Sequence, residues 1–250
     1  MRYLEILTLG IALAFLQYSC KETVAINSPD DTSHYIPSDS AKMYFLADAT
    51  DFAVDYLFAT RSPDTSKVFI SVSILNKYLL PLACLYDRHH EIPILDTLLV
   101  QSQIHKEIIS SSSLLIKVDT ALAWAKNVKK GISPTGNLTV DSLMQLYNLR
   151  FRPDPLWGLQ GLAWLTTIQS PLNTYALGQD FLSAAGVVSA EPNNMISIYS
   201  KLYLIIRASE TTIYLYKGYG DCPLGCFGYD RWTFTVSKNF EVTYQGYLHQ

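Results

Sequence analysis

The chain has 250 residues, of which 49% are hydrophobic and 16% charged, so it is long enough for a sizeable core and too apolar to remain unfolded. Its net charge is −3 and it has no block of Lys or Arg, which argues against nucleic-acid partners that require a basic stripe. Tyrosine is common at 17 copies, and tyrosine-rich, lysine-poor strands suit exported β-structure without deciding the fold.

The N-terminus carries an address. Arg2 is followed by an uninterrupted apolar run from Ile6 to Leu16, too short for a comfortable membrane span and the right length for a signal-peptide core over 1–19. Gln17-Tyr18-Ser19-Cys20 closes it. The segment resembles a lipoprotein signal, in which a small residue precedes a cysteine that is acylated and becomes the new N-terminus. It departs from that pattern at Gln17, since the usual leucine is displaced to Leu16, and at the bulky Tyr18. The resemblance implies a lipid anchor on Cys20 and a place in the cell envelope, at the outer membrane. The other reading is a secretory peptide cut near Ser19, which would leave the protein secreted. Residues 20–38 are rich in Asp, Ser, Thr and Pro and read as a flexible tether.

From Asp39 to Phe58, Met43, Leu46, Phe52, Ala53 and Leu57 recur at helical spacing, with Asp48, Asp51 and Asp55 as its solvated face. Arg61–Asp64 breaks it. A second helix carries Ile74, Leu75, Tyr78, Leu79, Leu82, Leu85 and Tyr86, places Cys84 in the core, and ends near Asp87-Arg88-His89-His90. Glu91 to Ser113 has no single periodicity, so 39–113 reads as mainly helical. Leu114–Val118 is a buried strand. After the loop 129–137, Thr139 is placed to cap a short helix bearing Leu143, Met144 and Tyr147. Strands follow at Asn148–Arg152 and Gly161–Gln169. Ser170-Pro171 then opens a helix through Tyr175, Leu177, Phe181 and Leu182, Gly186 ends it, and Val187–Ala190 is a closing strand.

This order is that of a split βαβ unit over 114–194. The segments LMQLYNLRF, LGQDFLSAAG and VVSAEPN resemble the small ferredoxin-like modules of subtilisin-type propeptides, whose closing strand reads close to V-x-x-A-E-P-N. No subtilisin-like catalytic part follows, so the chain is not a protease precursor. The remainder, 201–250, alternates as four strands, Leu202–Ala208, Thr212–Lys217, Arg231–Val236 and Glu241–Tyr247, in a β-meander. Its run YGDCPLGCFGYDRWTFTV, with the PTGN loop and VVSAEPN, resembles uncharacterised exported lipoproteins of Bacteroidota, which implies a shared address and fold and no particular activity. The expected fold is therefore α+β: N-terminal helices, a ferredoxin-like middle and a C-terminal antiparallel meander, in one mature unit over 39–250.

Few residues promise chemistry. Cys222 and Cys226 flank a Pro-Gly turn and read as a disulfide, with half of a zinc site as the rival. His89 and His90 follow a helix end, where they can meet exposed carbonyls. In a strand they would face opposite ways and make a poor metal pair, so no metal and no cofactor are expected. No H-E-x-x-H, G-x-S-x-G or phosphate-binding loop occurs, and no catalytic residue is assigned. Asp39-Ser40, in the tether, resembles the short O-glycosylation motif of Bacteroidota. Aromatic residues concentrate around the Cys loop: Tyr214, Tyr216, Tyr219, Tyr229 and Trp232. Alternation puts Tyr214 and Tyr216 on one sheet face, with Ile213 and Leu215 on the other. They form either a surface for a protein or glycan partner or the packing of the sheet onto the helices. The functional expectation is a membrane-anchored envelope protein acting as a non-enzymatic binding or docking module. The alternatives are an envelope hydrolase whose catalytic groups form no motif, and a purely structural component.

Overall fold

Ser38 has extended backbone and its hydroxyl accepts from the Ala41 amide, so helix α1 begins at Asp39 and runs to Ala59. Ser71 caps α2, Val72–Asp87, in the same way through the Ile74 amide. These elements belong to a computed structural model that describes residues 35–152, 162–167, 171–197, 199–220, 222 and 226–249. Residues from Tyr35 onward form one compact unit. The expected signal peptide, Cys20 and most of the expected tether lie outside the described residues. The glycosylation-like Asp39-Ser40 stands in the first turn of α1 rather than in the tether, because Ser38 starts the helix there. Among the described residues no helix is long and apolar enough to cross a membrane.

The segment without periodicity resolves into a helical turn at Pro93–Leu95, a π-helical turn at Asp96–Gln101, and a two-residue strand β1, Ile108–Ile109. Next come β2 (Ser113–Val118), α3 (Ala123–Lys129), α4 (Leu138–Leu146), β3 (Leu149–Arg152), β4 (Leu162–Thr167), α5 (Thr174–Leu182) and β5 (Val187–Pro192). Their sheet has the order β3-β4-β2-β5, all antiparallel, with helices in both crossovers. That is the ferredoxin-like arrangement. Gly178 lets α5 lie directly on β5, since a Cβ there would overlap the Ala190 carbonyl oxygen.

Two helix starts differ from the sequence expectation. Asn137, not Thr139, caps α4: its side chain accepts from Val140 N and donates to Ala185 O, a partner brought by the fold. Asn173 caps α5, accepting from Ala176 N while its amide donates to Thr65 O. Pro171 therefore precedes the helix instead of opening it, and Ser170 lies outside the described residues.

The chain closes with β6 (Met195–Ile196), which pairs with β1, and the meander β7 (Ser200–Ile206), β8 (Glu210–Tyr219), β9 (Gly228–Ser237) and β10 (Val242–His249). The meander runs in simple spatial order, each strand antiparallel to the next. Two apolar cores result. One packs Phe45, Leu79, Leu82 and Leu85 of α1 and α2 against Leu202, Ile213, Leu215 and Phe234 of the meander. The other fills the ferredoxin-like unit with Leu114, Ile116, Leu165, Leu177 and Phe181.

Candidate functional site

Pairing registers decide which residues share the outer face of the meander. Lys201 lies opposite Tyr216, which lies opposite Arg231, which lies opposite Leu248. The next row is Tyr203, Tyr214, Thr233 and Gly246. The intervening residues, Leu202, Ile213, Leu215 and Phe234, point inward to α1 and α2 and are completely buried. The two outer rows are partly open: Tyr203 is 44% and Leu248 42% exposed, while Tyr214 and Tyr216 are half-buried. Tyr214 and Tyr216 thus stand on the side away from the helices, and packing against helices describes Trp232 instead.

Polar contacts hold the outer rings in place. The Lys201 ammonium sits 4.6 Å from the Tyr229 ring centroid and 2.9 Å from a Glu107 carboxylate oxygen. The hydrogen bond to Glu107 pushes the Lys201 pKa up. Tyr203 meets Tyr216 edge-on at 5.6 Å and donates its hydroxyl to Glu107 at 3.3 Å. Partial burial and the neighbouring Glu107 charge raise the Tyr203 pKa. The Arg231 guanidinium lies 5.6 Å from the Tyr214 ring, and its buried Nε makes no hydrogen bond. Cations over tyrosine faces fix both partners.

The five aromatic residues singled out in the sequence are divided by the sheet. Tyr214, Tyr216 and Tyr229 share the outer face, joined by Tyr203, which sequence reasoning missed. Its placement depends on the β7–β8 register, for which the sequence carries no local signal. Trp232 lies on the inner face against the first core, and Tyr219 stacks on His249 at 4.8 Å. At that end Asp230 accepts from Tyr247 Oη at 2.7 Å and contacts His249 Nδ1 at 2.6 Å, and these two partners lower its pKa.

The sulfurs of Cys222 and Cys226 lie at disulfide distance. They sit over Gly218, where a Cβ would overlap the Cys226 sulfur, and Tyr229 stands opposite Gly218 on the neighbouring strand. The missing side chain at Gly218 is what lets the sulfur pair rest against the closed end of the tyrosine face.

The aspartates expected on a solvated face are a correction: Asp48 and Asp51 are 0% and 1% exposed. Asp48 accepts from Lys106 N at 2.6 Å and contacts His105 Nδ1 at 2.7 Å. Asp51 accepts from the Ser110 amide at 3.1 Å and from the Ser110 and Ser111 hydroxyls. Burial raises the Asp51 pKa, and the serine donors and Lys106 only partly offset this. These carboxylates pin the 105–111 segment to α1, and Asp55 at the surface pairs with Lys106 at 2.9 Å. Cys84 is buried as expected, donates to Phe240 O at 3.1 Å, and has its pKa pushed up to about 11 by burial, which suppresses the reactive thiolate.

Two open clefts carry carboxylates. One of about 600 Å³ lies between α5 and β5 and carries Asp180 and Glu191. The other, about 720 Å³, carries Asp141 and Arg150. Among the described residues neither is lined by a His or Cys, and the Asp141 carboxylate already accepts from Thr135 N and Gly136 N. No protein-family model, curated protein or solved structure matches this chain.

Proposed function

We propose that this protein is an exported lipoprotein, anchored through Cys20 at the outer membrane of a Bacteroidota-type envelope, that holds a protein partner on the outer face of its C-terminal sheet. The address rests on the apolar run before Ser19-Cys20 and on the resemblance of the Cys loop to that group. From Cys20 the chain can reach at most about 50 Å before Tyr35, at roughly 3.3–3.6 Å per residue, enough to hold the folded unit clear of a lipid surface.

The observation that carries the binding reading is the outer sheet face built from the exposed Tyr203 and the half-buried Tyr214, Tyr216 and Tyr229. Tyrosine and arginine are the residues interface hot spots favour, and they stand here on a four-stranded sheet with their rings already braced, so little side-chain freedom is lost on docking. Lys201 is matched by Glu107, whereas Arg231 lies over Tyr214 with no ion pair to a carboxylate among the described residues, so the complementary surface carries an acidic group.

The test is two-part. Labelled fatty acid should be incorporated into the full chain and not into Cys20→Ser. Cross-linking in envelope extract should recover one protein with the parent, lost in the Tyr214→Ser/Tyr216→Ser variant after its circular dichroism is matched to the parent. Recovery of a glycan instead, or equal capture by both chains, overturns the proposed partner and surface.

A further inference from the structure

We infer that His89, His90 and Asp96 form a binding site for one divalent transition-metal ion of the zinc class. One ring nitrogen of each histidine and a carboxylate oxygen of Asp96 all lie within 4.8 Å of one another. The sequence expectation that adjacent histidines face opposite ways holds for a strand, and these two are not in one. Past the end of α2 the chain turns tightly, with His89 N donating to Tyr86 O at 2.9 Å and Ile92 N to Arg88 O at 3.0 Å. That turn brings the two imidazoles to a centroid separation of 3.7 Å on one side of the chain. The π-helical turn that begins at Asp96 then presents its carboxylate to both.

The tautomer is suited to a ligand. His89 Nδ1 stands 2.6 Å from the Tyr86 carbonyl oxygen, which can only accept, so Nδ1 is the donor and Nε2 is the nitrogen left to coordinate. A ligand histidine commonly has its other nitrogen held by a carbonyl in this way. The nearby Arg88 charge is taken up by Glu91 at 2.7 and 2.8 Å, which removes a cation that would compete with the metal. Gln101 Nε2 reaches one Asp96 oxygen at 3.4 Å and leaves the other free of that contact.

Ligand atoms on one tetrahedral zinc stand about 3.4 Å apart, since each bond is about 2.0–2.1 Å, so the three groups must draw together by up to about 1.5 Å. His90 is exposed and can make that adjustment by side-chain rotation. Two imidazoles and one carboxylate suit zinc, cobalt or nickel over magnesium or calcium, which demand oxygen ligands. With three protein ligands, a fourth position remains for water.

Titration of the full chain with zinc chloride by calorimetry should give one ion per chain, and cobalt chloride should develop the visible absorption of a tetrahedral site. His90→Ala and Asp96→Asn should each weaken zinc binding by about 10-fold or more. His249→Ala, which removes the exposed histidine beside Asp230, should leave it unchanged. Absence of saturable zinc binding below about 1 mM, full affinity in both ligand variants, or an equal response to magnesium would overturn the site. Matched thermal melts of His90→Ala and the parent exclude unfolding as the cause of any loss.

Discussion

The two cores solve the same packing problem from different stretches of chain. The ferredoxin-like core draws almost all of its residues from Leu114 to Ala190, with Val68 as the one distant contributor. The other core joins α1 and α2 to strands that return only after that whole unit has been threaded, so Phe45 and Phe234 belong to one core. The first can close through contacts made within one supersecondary unit, whereas the second must bring together segments far apart in sequence. Between them lies a polar seam. Asp51 holds the Ser110 amide and hydroxyl, and Thr174 Oγ1 of α5 donates to Ser110 O at 3.0 Å. A buried helix carboxylate therefore links the discontinuous core to the continuous one.

The comparison is broken most forcefully inside either core. Phe181→Ala and Phe234→Ala each remove a completely buried ring and should cost about 3–5 kcal/mol, read as a lowered urea midpoint. With the seam intact, circular dichroism and tryptophan fluorescence should report one common transition for each variant. Asp51→Ala leaves the Ser110 amide and hydroxyl without their acceptor, at about 2–3 kcal/mol, while the Ser111 hydroxyl keeps Ala47 O, and it should pull the two probes apart. A single shared transition in that variant would show that the cores are coupled by something other than the seam. Replacing Cys222 and Cys226 together by serine frees a loop with a sequence separation of 4 and should cost about 2 kcal/mol, read as a lower midpoint of the common transition.

The smallest effect is in the acid limb, where two aspartates have opposite signs. Burial raises Asp51, so the folded state binds its proton more tightly than the unfolded chain. Stability from this group falls as pH rises from the ordinary carboxylate value of about 3.9 through the raised native one. For Asp87 burial also pushes upward, but hydrogen bonds from Ser38 and Tyr35 outweigh it and hold the pKa low. Its contribution is present above about 3.9 and is lost as pH falls through the native value. Urea midpoints measured against pH should therefore lose slope above about pH 4 in Asp51→Asn and below it in Asp87→Asn.

Local pattern along the chain was enough for the α+β class, the order of most helices and strands apart from α3, β1 and β6, the ferredoxin-like succession, the burial of Cys84 and the opposed faces of Tyr214 and Ile213. Each of these follows from a local period, 3.6 along a helix or 2 along a strand, that a few neighbouring residues suffice to express. The rest depended on contacts between distant segments. Strand register joined Tyr203 to Tyr214 and sent Trp232 and Tyr219 to the other face. Thr65 and Ala185, remote in sequence, made Asn173 and Asn137 the helix caps. The 105–111 segment turned two aspartates from a solvated face into a buried seam. A tight turn put two adjacent histidines side by side. In every such case the deciding partner comes from a distant segment or from the exact path of a turn, and a side chain's own sequence neighbours carry no record of either.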